Sequence, residues 1–100
     1  MVPMQDDVVD VYVYGALQRR FGVISALQPV HRGVPIGPDD RIRDVVAALG
    51  IRPDEVSHLF LNAEYSAASR RVKPGDRLAI FGRDMALLYR QYFPKVEDSA

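Results

Sequence analysis

Five basic side chains, Arg70, Arg71, Lys73, Arg77 and Arg83, fall within residues 70–83 against one acid, Asp76. Guanidinium and ammonium groups at that density serve one of two purposes: docking an acidic protein surface, or neutralising phosphates. Arg19, Arg20, Arg41 and Arg43 supply further basic positions, and Asp6, Asp7, Asp10, Asp39 and Asp40 offset them elsewhere. A solvated face is the plainer reading. A nucleic-acid surface gains affinity from aromatic rings interleaved with its charges. Phe81 is the one ring among these, so a protein partner is favoured and nucleic acid disfavoured.

A second constellation follows. Met85, Leu88, Tyr89 and Tyr92 repeat at i, i+3, i+4 and i+7, with Leu87 and Phe93 beside them. That spacing predicts an amphipathic helix over about residues 84–93, with Asp84 as cap and Pro94 as stop. A helix of this length is not stable alone in water. It packs on its own sheet, or it docks a partner or a second copy of the chain, since Tyr and Met suit interface cores. The predicted partner-binding set is therefore Arg70, Arg71, Lys73, Arg77, Phe81, Arg83, Met85, Leu88, Tyr89, Tyr92 and Phe93.

Catalytic chemistry finds little footing. The two histidines, His31 and His58, lie far apart with no ligand spacing between them, and a metal site would need them to converge with a carboxylate. Ser57, Ser66 and Ser69 lack a nucleophile-elbow setting. There is no cysteine, and the glycines are scattered singly rather than forming a phosphate-cradling loop. The expectation is a protein that is not an enzyme and holds no metal or cofactor.

These residues sit in a chain of 100 residues, 48% hydrophobic and 26% charged, with 13 basic residues balancing 13 acidic ones. That size predicts one domain with one modest core. No apolar run approaches membrane-spanning length, and the acidic start "MVPMQDDVVD" is unlike a signal peptide. The expected location is cytoplasmic.

"VVDVYVYG", residues 8–15, alternates Val9, Val11 and Val13 on one face with Asp10, Tyr12 and Tyr14 on the other, as a strand ending at Gly15. "ALQRRFG" reads as a turn or short helical piece closed by Gly22. Val23 to Ile36 is a second extended stretch, made irregular or confined to an edge by its prolines. Ile42, Val45, Val46 and Leu49 mark a helix with Asp39 or Asp40 as cap and Gly50 as stop. Strands at 57–61 and 77–81 follow, with a turn at Asn62 and Ala63 and a Pro74–Gly75 turn of type II. The order β–β–α–β–(short β)–β predicts a mixed α+β sheet carrying one packed helix.

In order and content these pieces resemble the ubiquitin-like β-grasp proteins related to the sulfur carriers of the ThiS/MoaD type. The matching segments are "IRDVVAALGI" (42–51), "LFLNAEY" (59–65) and "VKPGDRLAIFG" (72–82). The Gly75–Asp76 pair is the most specific of them. The helix and turns also resemble the ubiquitin-like domain found fused to Mut7-C nuclease-like domains, a subgroup that generally lacks the carrier terminus. The resemblance covers about residues 8–82 and implies a β-grasp core with an added C-terminal helix. A sulfur carrier ends in Gly-Gly, whereas this sequence ends Asp98-Ser99-Ala100. The resemblance thus implies a non-catalytic interaction module that has lost the reactive tail. Its partner would be a protein, an adenylating or other cofactor-biosynthesis enzyme among the candidates, and a homodimer through the C-terminal helix is a further route. The alternatives are a carrier in thiamin or molybdopterin-type cofactor synthesis after tail processing, and a small RNA-binding β-grasp module.

Overall fold

Alternation in the first strand is realised in full. The computed structural model describes residues 7–22 and 28–83. In strand β1, Val8–Tyr14, the side chains of Val9, Val11 and Val13 are completely buried while their neighbours are half-buried. Gly15, at φ 78°, breaks the strand and opens a 3₁₀ helix, Gly15–Phe21. Gly22 ends it in the left-handed region that glycine enters without a Cβ penalty. Inside this helix Gln18 is buried, and its Nε2 donates to the carbonyls of Val13 (3.2 Å) and Gln28 (2.9 Å), tying the helix to the end of β1.

Strand β2, Val30–Pro35, runs antiparallel to β1 and sets Val30 against Val13 and Val34 against Val9. Of the long extended stretch expected over 23–36, this is the part that forms a strand among the described residues.

Helix α1, Ile42–Ala48, places Ile42, Val45 and Val46 in the core, as its spacing predicts. Its cap differs from expectation. The N-cap is Arg41 rather than an aspartate, and Asp44 accepts the Arg41 N–H at 2.8 Å. The reason is local: the carboxylate of Asp40 is already committed to the preceding turn, where it accepts the Gly37 N–H at 2.8 Å. Gly50, at φ 79°, closes the helix as foreseen.

Beyond a 3₁₀ turn, Pro53–Glu55, come β3, Val56–Leu61, and the short β4, Glu64–Tyr65. Asn62 and Ala63 join them with φ of 52° and 71°, the two successive left-handed residues that a tight hairpin requires. The last described strand is β5, Arg77–Gly82. The five strands lie in the order β2-β1-β5-β3-β4, with β5 parallel to β1 and antiparallel to β3. The buried side chains of β1, β2, β3 and β5 meet those of α1 in one cluster, so α1 covers one face of the sheet. This is the mixed β-grasp arrangement. The amphipathic segment at 84–93 lies outside the described residues. Among the described residues, no helix is long and apolar enough to cross a membrane.

Glu55 joins two of the connecting elements. It accepts from the Arg52 N–H at 2.8 Å and pairs with Arg20 on the first 3₁₀ helix. The hydrogen bond from Arg20, helped by that from the Arg52 backbone, holds its pKa below the ordinary 4.5. A depressed carboxylate pKa adds stability that is present above the unfolded value and lost as pH falls through the folded one. In an NMR titration the Glu55 carboxyl should therefore have a midpoint below 4.5, and Arg20→Ala should move that midpoint upward.

Candidate functional site

The face of the sheet turned away from α1 gathers aromatic side chains from strands distant in sequence. Parallel pairing places Tyr12 beside Ala79 and Tyr14 beside Phe81. Antiparallel pairing then sets Phe60 beside Ala79 and His58 beside Phe81. Tyr14 and Phe81 stack with centroids 4.6 Å apart and planes 5° apart. Phe60 meets Phe81 edge-on at 5.7 Å. Tyr12 is held between two groups. His31 stacks on it at 4.6 Å, and the Arg77 guanidinium carbon lies 5.3 Å from its ring centroid. Asp10 reaches His31 on the same face, with Oδ1 3.2 Å from Nε2. Tyr12, Tyr14, Phe60, Arg77, Ala79 and Phe81 border a shallow groove of about 580 Å³, and small Ala79 forms its low centre.

The residues singled out in the sequence do not form one surface. Arg77 and Phe81 belong to this aromatic face. Arg70, Arg71 and Lys73 line a different pocket, with Asn62 and Asp76. Arg83 lies at another end of the sheet, where its Nε donates to the Asp54 carbonyl at 2.7 Å. Met85, Leu88, Tyr89, Tyr92 and Phe93 lie outside the described residues. Tyr12 and Tyr14, at the centre of the face, belong to a strand that the sequence marks only as a core element.

The Gly75–Asp76 pair, the most specific piece of the resemblance, has a structural task. Gly75 takes φ 87° and its N–H donates to the Val8 carbonyl at 2.9 Å. The Asp76 carboxylate is buried and accepts from the Lys73 N–H (2.8 Å) and from Asn62 Nδ2 (3.0 Å). Asn62 Oδ1 in turn accepts from the Arg77 N–H at 3.0 Å. This network fixes where β5 starts against β1 and against the β3–β4 hairpin, and so aligns the rings of the aromatic face.

The β2 edge is poorly suited to adding a strand from another chain. Ile36 donates to the Asp7 carbonyl while Asp10 donates to Asp76 on the opposite side of β1. By alternation, Val30, Arg32 and Val34 bond inward to β1, and His31, Gly33 and Pro35 present their backbone outward. Proline offers no donor, and the His31 carbonyl accepts from Arg32 Nη1 at 2.9 Å. Such devices guard a sheet edge against pairing.

Among the described residues, no group of three or more His, Asp or Glu side chains could hold a metal ion. His58 is buried beside Tyr65 (5.7 Å) and Phe81 (6.4 Å) as a packing residue, and His31 lies at the β2 end of the face.

Against known families, residues 7–87 match the model described as Mut7-C ubiquitin. The chain belongs to the Mut7-C ubiquitin family. Comparison with curated proteins and with solved structures finds no match. In this Mut7-C ubiquitin chain the family match covers every described strand, α1 and the aromatic face.

Proposed function

We propose that this Mut7-C ubiquitin chain is a non-catalytic interaction module that binds a protein through the aromatic face of its sheet. The observation that carries this reading is the assembly of Tyr12, Tyr14, Arg77 and Phe81 around a groove with Ala79 at its floor. Tyr and Arg are the residue types that dominate protein-interface energetics, and a concave centre bounded by rings suits an apolar anchor from a partner. The family resemblance nominates the partner class. Ubiquitin-like domains of this kind occur fused to Mut7-C nuclease-like domains, so such a domain is the first partner to test.

Single-stranded RNA fits the face less well. Base stacking needs an uncovered ring face. Tyr12 already carries His31 and Arg77 against its ring, and Tyr14 and Phe81 each give one ring face to the other. The basic side chains that would follow a phosphate backbone are divided among separate surfaces. The carrier reading gains no support from any described residue.

The test is calorimetry of the full chain with a separately produced Mut7-C nuclease-like domain, run beside fluorescence anisotropy with labelled single-stranded RNA at low salt. Saturable binding to the protein domain with none to RNA supports the module. Binding to RNA that weakens steeply with salt and is lost on Arg77→Ala overturns it.

A further inference from the structure

Two side chains on the face turned away from α1 are buried, although one of them belongs to an edge strand. His58 on β3 is 2% exposed and Tyr65 on β4 is 4% exposed. Pairing of Tyr65 with Phe60, and of His58 with Phe81, puts both on the aromatic side of the sheet. Their rings pack accordingly, Tyr65 lying 5.7 Å from His58 and 5.4 Å from Phe60. β4 is two residues long and ends the strand order, so no further strand shields Tyr65. Burial on the outer face at the end of a sheet requires a second covering layer. Tyr12 and Tyr14, on the other side of β5, are only half-buried. The cover is therefore confined to the β3–β4 half of the face.

We infer that residues 84–93 of this same chain fold back as a helix over His58, Phe60 and Tyr65. Connectivity points the segment there. β5 ends at Gly82 beside Val56, the first residue of β3. Arg83 is tied at 2.7 Å to the carbonyl of Asp54, which precedes β3. The chain thus leaves the sheet on the β3 side rather than the β1 side. Reach agrees. Ten helical residues span about 15 Å, and β5, β3 and β4, about 4.8 Å apart, span about 10 Å. The chemistry agrees as well. The stripe Met85, Leu88, Tyr89 and Tyr92 needs an apolar surface, because so short a helix does not stand alone in water. Aromatic pairs add to the area that such a contact buries. A segment tethered one residue from the strand it follows meets the face at millimolar effective concentration, ahead of a second copy. On the proposed function, the partner then meets the half left open, around Tyr12, Ala79 and Arg77.

The chain has no cysteine, so a nitroxide can be placed on a single introduced thiol. Gln91→Cys, off the apolar stripe, is labelled in the full chain and amide broadening is recorded. The strongest broadening is expected at His58, Phe60 and Tyr65. Strongest broadening at Arg32 and Val30, or at Ala47 on α1, would put the segment elsewhere and overturn the inference. Weak, uniform broadening would overturn it too. So would broadening carried to isotope-labelled chains that bear no nitroxide, mixed with nitroxide-bearing ones, since the contact would then belong to a second copy. Leu88→Asp, on the stripe, should lower the melting temperature by about 5 °C or more and shift the His58 and Tyr65 amides. Leu87→Asp, the same change on the other side of the helix, should do neither. Equal effects of the two would contradict docking through the stripe. Intact broadening in a chain that fails to bind a Mut7-C nuclease-like domain would support the docking and count against the proposed function alone.

Discussion

Asp76→Ala lowers the melting temperature of this domain by roughly 10–20 °C, the largest loss expected from any single polar side chain here. The carboxylate is buried and accepts two hydrogen bonds, from the Lys73 N–H and from Asn62 Nδ2. Alanine takes the shared acceptor from both donors, in part-buried bonds whose donor residues Asn62 and Lys73 are themselves exposed. Hydrogen bonds to a charged acceptor contribute about 1.5–3 kcal/mol each. A total of roughly 2–4 kcal/mol follows, because the two bonds share one network and do not simply add. Asp76→Asn should fall between wild type and alanine, since its amide carbonyl replaces only one of the two acceptors. Thermal unfolding followed by circular dichroism measures both variants. A change below about 3 °C for the alanine variant would show that the turn holds itself through Gly75 and the backbone alone.

Ala79→Glu abolishes docking on the aromatic face while leaving the domain folded. Ala79 is half-buried at the floor of the groove, with Tyr12 on one side and Phe60 on the other. A glutamate there fills the recess and puts a charge where an apolar anchor would sit. A buried unpaired charge at an interface costs about 2–5 kcal/mol. Affinity for the partner should fall at least about a hundredfold, a loss of about 2.7 kcal/mol. Stability should change by no more than about 1 kcal/mol, the span of strand propensities, because the side chain points away from the core. Unchanged affinity in a folded variant would remove the aromatic face from the binding surface. A folded variant that binds more tightly would do the same.

Much of the fold was readable because it depends on local rules. The Val9, Val11, Val13 alternation, the Ile42, Val45, Val46 stripe and the glycines at 15, 22, 50 and 75 each mark a conformation that the residue itself favours. The helix cap is not legible locally, because two acids compete for neighbouring turns. Asp40 closes its own turn and Asp44 serves the helix, and only the tertiary path settles which does which.

The site was less legible. Arg70, Arg71, Lys73, Arg77 and Arg83 are close in sequence, but the Pro74–Gly75 turn and the length of β5 send them to separate surfaces. The aromatic face depends on β1 pairing in parallel with β5, a contact between nearly opposite ends of the described chain. Periodicity within one strand cannot reveal which strand lies beside it. One local signal was present. A strand with only one face in the core should carry polar residues on the other, and "VVDVYVY" puts Tyr12 and Tyr14 there instead. Phe81 repeats the anomaly on β5. Rings at outward positions of two strands are the one local mark of the aromatic face.

The central claim, that a protein partner binds the aromatic face, is tested most directly by mapping backbone amides of the labelled full chain as a Mut7-C nuclease-like domain is added. The account predicts progressive shifts or broadening at Tyr12, Tyr14, Arg77, Ala79 and Phe81, with Arg43 and Ala47 unmoved. Perturbation confined to Arg20, Glu55 and Arg83, or to Arg43 and Ala47 on α1, would contradict it.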